Sequence, residues 1–217
     1  MNHRLIIIGA GGFGREVFNW ARDVSAKNGE WQMGGFLDAN PQALAGYRVD
    51  VEILGSPDSY QPQPNDRFVC AIGDPTTRLK VCRMLSDKGA RFVTLIHPLA
   101  VIGSDCRIGL GSIICPLTVL TTNVTLGSFV ILNTHCCVGH DAVLGDGCSV
   151  NPHGAVAGNA VLGVGVLMGM HSVVLQRVHV GDGAIIGAGS VVLRKVAPRT
   201  TVLGVPAKRL MLGLEAS

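Results

Sequence analysis

The run Gly9-Ala10-Gly11-Gly12-Phe13-Gly14 has the G-x-G-x-x-G spacing of a turn that receives a phosphate. Glycines there let backbone N–H groups approach an anion at a helix N-terminus, where the helix dipole favours negative charge. Asp38 falls at the end of the next expected strand, placed for a ribose or base contact. The seven cysteines (Cys70, Cys82, Cys106, Cys115, Cys136, Cys137 and Cys148) are odd in number and contain no C-x-x-C. That argues against a disulfide framework or a zinc ribbon. Reduced thiols lead to the expectation of a cytoplasmic protein.

The elements that must hold the glycine turn alternate as in a parallel α/β sheet. Residues 4–8, 33–37, 67–72 and 91–96 read as strands. Helices are expected over 15–24 and over 76–88, the second closed by Gly89. A unit ending near residue 96 is too short for both halves of a dinucleotide fold, so a mononucleotide-bearing ligand is expected rather than NAD.

The chain has 217 residues, of which 47% are hydrophobic, 15% charged and only 5% aromatic, with 29 glycines and a net charge of +3. Such apolarity excludes a disordered chain. The weak, scattered positive charge excludes a polyanion-binding surface, so no nucleic acid partner is expected. No apolar run nears the ~18–20 residues of a membrane span, and residues 5–8 are too short for a signal-peptide core. Abundant glycine and aliphatics with few rings predict a regular, repeated core, since globular cores use aromatics as bulk.

That repeat has a period of six. Every sixth residue from Ile102 to Val192, sixteen in all, is aliphatic or Met. Glycine follows this leader at nine places, and the position four after it, from Cys106 to Val196, is always small or β-branched. Hexapeptide repeats form parallel β-helices, in which leader and small residue point inward and stacked coils share one core. The narrow interior has no room for rings, and Cys106, Cys136 and Cys148 are expected there as small core residues.

The pattern resembles the left-handed β-helix acyltransferases. Several further segments resemble the sugar acetyltransferases of the NeuD/PglD type: Ile8 through Glu16, Gly35-Phe36-Leu37-Asp38, Ala71-Ile72-Gly73-Asp74 and His97-Pro98. So do Asn133-Thr134, Gly139-His140-Asp141, Ala157-Gly158-Asn159, 187–192 and Gly204-Val205-Pro206-Ala207. The resemblance implies a Rossmann-like nucleotide-sugar domain over 1–97 and a left-handed β-helix acyltransferase domain with a C-terminal tail over 98–217. It implies acetyl transfer from acetyl-CoA, as co-substrate, to an amine or hydroxyl of a sugar, with active sites between subunits of a homotrimer. His140 matches the general base and Asp141 the acid that orients it. Gly11, Gly12, Phe13, Gly14, Asp38, Gly73, Asp74, Asn133, Ser149 and His153 become candidate acceptor-site residues. Gly158, Gly169, Gly187 and Lys208 become candidate acetyl-CoA contacts. A nucleotide-linked amino sugar is the expected acceptor. The alternative is O-transfer to a sialic-acid-like or other sugar.

The sequence departs from the family in two places. Ser149 stands where many relatives carry a second histidine, and Gly139 where many carry an acid before the catalytic one. His135, His153 and His171, each 18 residues from the next, occupy places where relatives often have glycine. In a coil of 18 residues they are expected to stack on one edge. γ-Class carbonic anhydrases share the fold and bind zinc through an H-x4-H pair, the spacing of His135 and His140. Their third ligand would fall on Leu99, so no metal is expected.

Overall fold

The computed structural model describes residues 3–210, so the expected tail beyond 210 lies outside the described residues. The first strand, β1 (His3–Ile8), runs into the glycine turn and then α1 (Gly12–Asn28). Next come β2 (Trp31–Leu37), β3 (Ile53–Gly55), β4 (Asp66–Cys70) and α2 (Pro75–Asp87). The four strands form a parallel sheet in the order β3-β2-β1-β4. Side chains alternate across a strand, so Leu5 and Ile7 face the α1 layer with Phe18 and Ala21, while Ile6 and Ile8 face Cys82 and Leu85 of α2. Both faces are covered, which is why β1 reads as an unbroken apolar run.

From Leu95 to Leu203 the chain is a parallel β-helix. Each of the sixteen repeat leaders closes a two-residue strand, from Val101–Ile102 to Val191–Val192. Up to Val173–Val174 each strand pairs with the one 18 residues on, as Ile131 and Leu132 do with Ser149 and Val150, and in the last coil Ile185 pairs with Thr201, giving three long sheets around one core. Leaders from Ile114 to Val192 are buried, whereas Ile102 and Ile108 in the first coil are not fully covered. Cys136 and Cys148 fill the core, and Cys106, in that same open first coil, is half-buried.

The corner of each hexad has a fixed geometry. The residue three after each of the first fifteen leaders, from Asp105 to Gly189, has φ between 55° and 73°. From Asn123 onward the N–H of this residue donates to a carbonyl of the preceding coil, as Asp141 does to Thr122 and His153 to Thr134. Glycine, asparagine and aspartate enter this left-handed region readily, and histidine less so. Leu117, Phe129 and Arg177 adopt it as well.

Two sequence expectations change here. Residues 91–96 do not form one strand of the first sheet. Phe92 makes a single bridge to Phe68, and Leu95–Ile96 pairs with Ile113–Ile114 as the first rung of the β-helix. The short apolar run therefore joins two sheets, which its composition cannot reveal. β3 leaves no trace in the sequence because three residues carry no measurable period.

Of the turn glycines, Gly14 is needed for packing: a Cβ there would collide with the Gly9 carbonyl, closing α1 onto β1. Gly11 and Gly12 open onto free space. Gly14→Ala is expected to lower stability by about 3 kcal/mol through overpacking. Gly12→Ala, in the first turn of a helix, should leave it unchanged or slightly higher. Urea denaturation midpoints of the two variants check this.

Candidate active site

His140 sits beside the Asp141 corner, on the edge of the β-helix that also carries Asn123 and Asn159. Its Nδ1 lies 2.7 Å from Asp141 Oδ2. A carboxylate accepts only, so Nδ1 carries the proton, and in the neutral ring Nε2 keeps its lone pair. The left-handed backbone at Asp141 swings its carboxylate back beside the preceding ring. Asn123 Nδ2, one coil below, donates to the other carboxylate oxygen at 3.3 Å. The His140 hydrogen bond, with help from Asn123, holds the Asp141 carboxyl below the usual carboxylate range. On the next coil Gly158 makes room for the imidazole, since a Cβ there would lie 2.6 Å from His140 Nε2. Both His140 and Asp141 are solvent-accessible. The pair can accept a proton at Nε2 and stabilise the resulting imidazolium.

A cavity of about 480 Å³ lies between α1 and another edge of the β-helix. It brings together Phe13, Gly73, Asn133 and Ser149 of the sequence-derived candidates, with Glu16, Trp20 and Asn151 beside them. Glu16 and Trp20 were not among those candidates. The signal was helical spacing: Phe13, Glu16 and Trp20 fall on one face of α1, where the Phe13 and Trp20 rings meet edge-on at 6.0 Å.

Other candidates have internal partners. Both Asp38 carboxylate oxygens accept backbone N–H groups at 2.8 Å, from Ala10 and Asn40, so the acid braces the glycine turn. Asp38 lines a separate recess with Gly9 and Ile72. Asp74 caps α2 by accepting from Thr77 N at 2.8 Å, which holds its carboxyl low. Ser149 is buried, donating to Gly73 O at 3.0 Å and accepting from Arg78 Nη2 at 2.9 Å. Gly169 and Gly187 let adjacent coils approach, because a Cβ would strike Ala188 N in one case and the Leu203 side chain in the other. Lys208 is exposed on an antiparallel rung opposite Leu203.

His153 stands between His135 and His171, with ring centroids 4.7 and 4.6 Å apart and the last two rings parallel to within 2°. The three rings lie flat on one another, so their nitrogens do not converge on one point. Among the described residues no cluster of three His, Cys, Asp or Glu is placed to hold a metal ion. No described helix is long and apolar enough to cross a membrane.

The His140 bond to Asp141 can be read directly. In a carboxyl NMR titration, Asp141 is expected to ionise below the ordinary aspartate range, and His140→Ala should move it back up. Because the folded-state value is depressed, any stabilisation from the pair is present above the ordinary range and lost as pH falls through the lowered value.

Residues 4–85 match the family model described as the PglD N-terminal domain. A comparison with curated proteins returns no match. Among solved structures, PerB from Caulobacter crescentus, in complex with CoA and GDP-perosamine, is 31% identical, covering 95% of this chain and 97% of its own at a TM-score of 0.86. The acetyltransferase domain of PglB from Neisseria gonorrhoeae, in complex with acetyl coenzyme A, is 29% identical over 97% of this chain and 100% of its own, with a TM-score of 0.87. WeeI from Acinetobacter baumannii is 28% identical over 96% and 100%, with a TM-score of 0.85. With the hexad β-helix and the PglD-type N-terminal unit both present, the chain belongs to the NeuD/PglD-type sugar acetyltransferases.

Proposed function

We propose that the protein transfers the acetyl group of acetyl-CoA to the amine of a nucleotide-linked sugar, with His140 as general base. The observation that carries this reading is the imidazole held by Asp141 at 2.7 Å with Nε2 turned toward Gly158. An acceptor amine must shed a proton as its nitrogen attacks the thioester carbon. Nε2 takes that proton, the C–N bond forms, the C–S bond breaks, and the departing thiolate receives a proton. Asp141 keeps the tautomer that leaves Nε2 free and stabilises the imidazolium. N-transfer is favoured because a perosamine N-acetyltransferase from Caulobacter crescentus, 31% identical, is bound to CoA and GDP-perosamine.

The acceptor is assigned to the cavity beside Phe13, Trp20 and Asn133, with the nucleotide toward Gly11 and Gly12. The open space at those two glycines leaves backbone N–H groups approachable by a diphosphate. Acetyl-CoA is assigned to the side of Gly158, reaching toward Gly169, Gly187 and Lys208. The cavity borders the edge that carries His135 and His153, whereas His140 lies on the next edge around the coil. A single chain therefore separates base from acceptor, which supports a homotrimer whose neighbour supplies His140. Exposed Val143 and Ile185 on the faces of the β-helix suit such burial. The proposed domain division is the sequence-derived one, a nucleotide-sugar unit over 1–97 and an acyltransferase β-helix over 98–217, with the acceptor cavity lined by residues of both.

His140→Ala should fold normally and lose about 10²–10⁴-fold in kcat with acetyl-CoA and amino-sugar nucleotides, read by thiol release. Near-wild-type turnover would exclude His140 as base, and turnover only with hydroxyl acceptors would assign O-transfer. Mixing His140→Ala chains with Trp20→Ala chains should restore part of the activity that each lacks alone. Failure to complement would place base and acceptor site in one subunit.

A further inference from the structure

Arg78 of α2 is fully buried, and among the described residues it forms no ion pair. A lone buried cation is costly unless dipoles replace water. Six oxygens do so here. Nε donates to Phe129 O at 3.0 Å, and Nη1 donates to Ile72 O at 2.6 Å and Gly73 O at 3.0 Å. Nη2 donates to Gly147 O at 2.7 Å, Cys148 O at 3.3 Å and Ser149 Oγ at 2.9 Å. Ile72 and Gly73 belong to the loop between β4 and α2, and the other four oxygens belong to two successive coils of the β-helix.

The oxygens are held in place on the β-helix side. Phe129 adopts the left-handed corner with φ of 58°, and its ring packs on Phe92 with centroids 5.0 Å apart. Two of the bonded groups, Gly73 and Ser149, also line the cavity assigned to the acceptor, and they bond to each other at 3.0 Å. One guanidinium thus ties a cavity wall from the nucleotide unit to a wall from the β-helix.

We propose that Arg78 is a positioning residue for the acceptor: by fixing Gly73 against Ser149 it sets the width of the cavity between α1 and the β-helix. The inference rests on the reading that this cavity takes the sugar nucleotide. An ammonium has three donors on a flexible stem and cannot span the same six oxygens, so lysine is not equivalent here.

The test compares Arg78→Lys, Ser149→Ala and the double variant in the full chain. Arg78→Lys should raise KM for the sugar nucleotide at least tenfold while leaving KM for acetyl-CoA within twofold. Adding Ser149→Ala to it should add little, because both changes break one link. Equal changes for both substrates, no change for either, or independent multiplication of the two effects would each overturn the proposal. Ser149→Ala alone, which removes one of the six bonds, serves if Arg78→Lys does not fold, with a smaller rise in the same KM expected. The chain has two tryptophans, Trp20 at the cavity and Trp31 buried in the α1 layer. Fluorotryptophan NMR should show the Trp20 resonance moving in the variants and Trp31 staying. If the wild type accepts no sugar nucleotide, the acceptor reading fails by itself, and the Trp20 resonance alone decides whether Arg78 shapes the cavity.

Discussion

A single backbone constraint recurs through the β-helix: from Asn123 to Gly189 every sixth residue turns in the left-handed region while donating to the coil below. This corner keeps the coil at 18 residues, so that leaders stack on leaders and the core stays aliphatic. It also decides what stands on the edges. A side chain at a corner repeats directly above its equivalent one coil away, which is how three imidazoles form a stack and how Asn123 reaches Asp141.

The same corner shapes the proposed base. Aspartate tolerates the left-handed conformation, and there its carboxylate, still open to solvent, reaches the preceding ring. The space for that ring comes from the next coil, where position 158 lacks a side chain. The imidazole, its aspartate partner and the vacant neighbour thus follow from one repeat geometry and need no specialised loop. Rigid elements of this kind hold a catalytic pair more accurately than mobile segments do.

The N-terminal unit meets this scaffold through two kinds of contact. One is apolar: Ile113, Cys115 and Ile131 of the β-helix join the α1 core, and Phe129 packs into the α2 side. The other is the buried guanidinium of Arg78, satisfied wholly by oxygens of neutral groups. Apolar contact supplies non-directional stabilisation, whereas a planar fork of donors fixes orientation. The cavity between the two units inherits that orientation.

The β-helix was legible in the sequence because its period is short and its interior narrow: sixteen aliphatic leaders and a scarcity of rings admit few other folds. The glycine turn and the His140-Asp141 pair were legible because their partners lie close in the chain. The histidine stack followed once the coil length was known. Folding alone decided which groups remain available for chemistry. Asp38, Asp74 and Ser149 look like site residues by type and place, yet each is held by partners in the folded chain. Arg78 looked like an ordinary helix arginine, because its six acceptors lie from five to 71 residues away along the chain. Periodicity reports which side of an element is buried, and only the packed structure reports which polar group meets which, because that depends on contacts between segments distant in sequence.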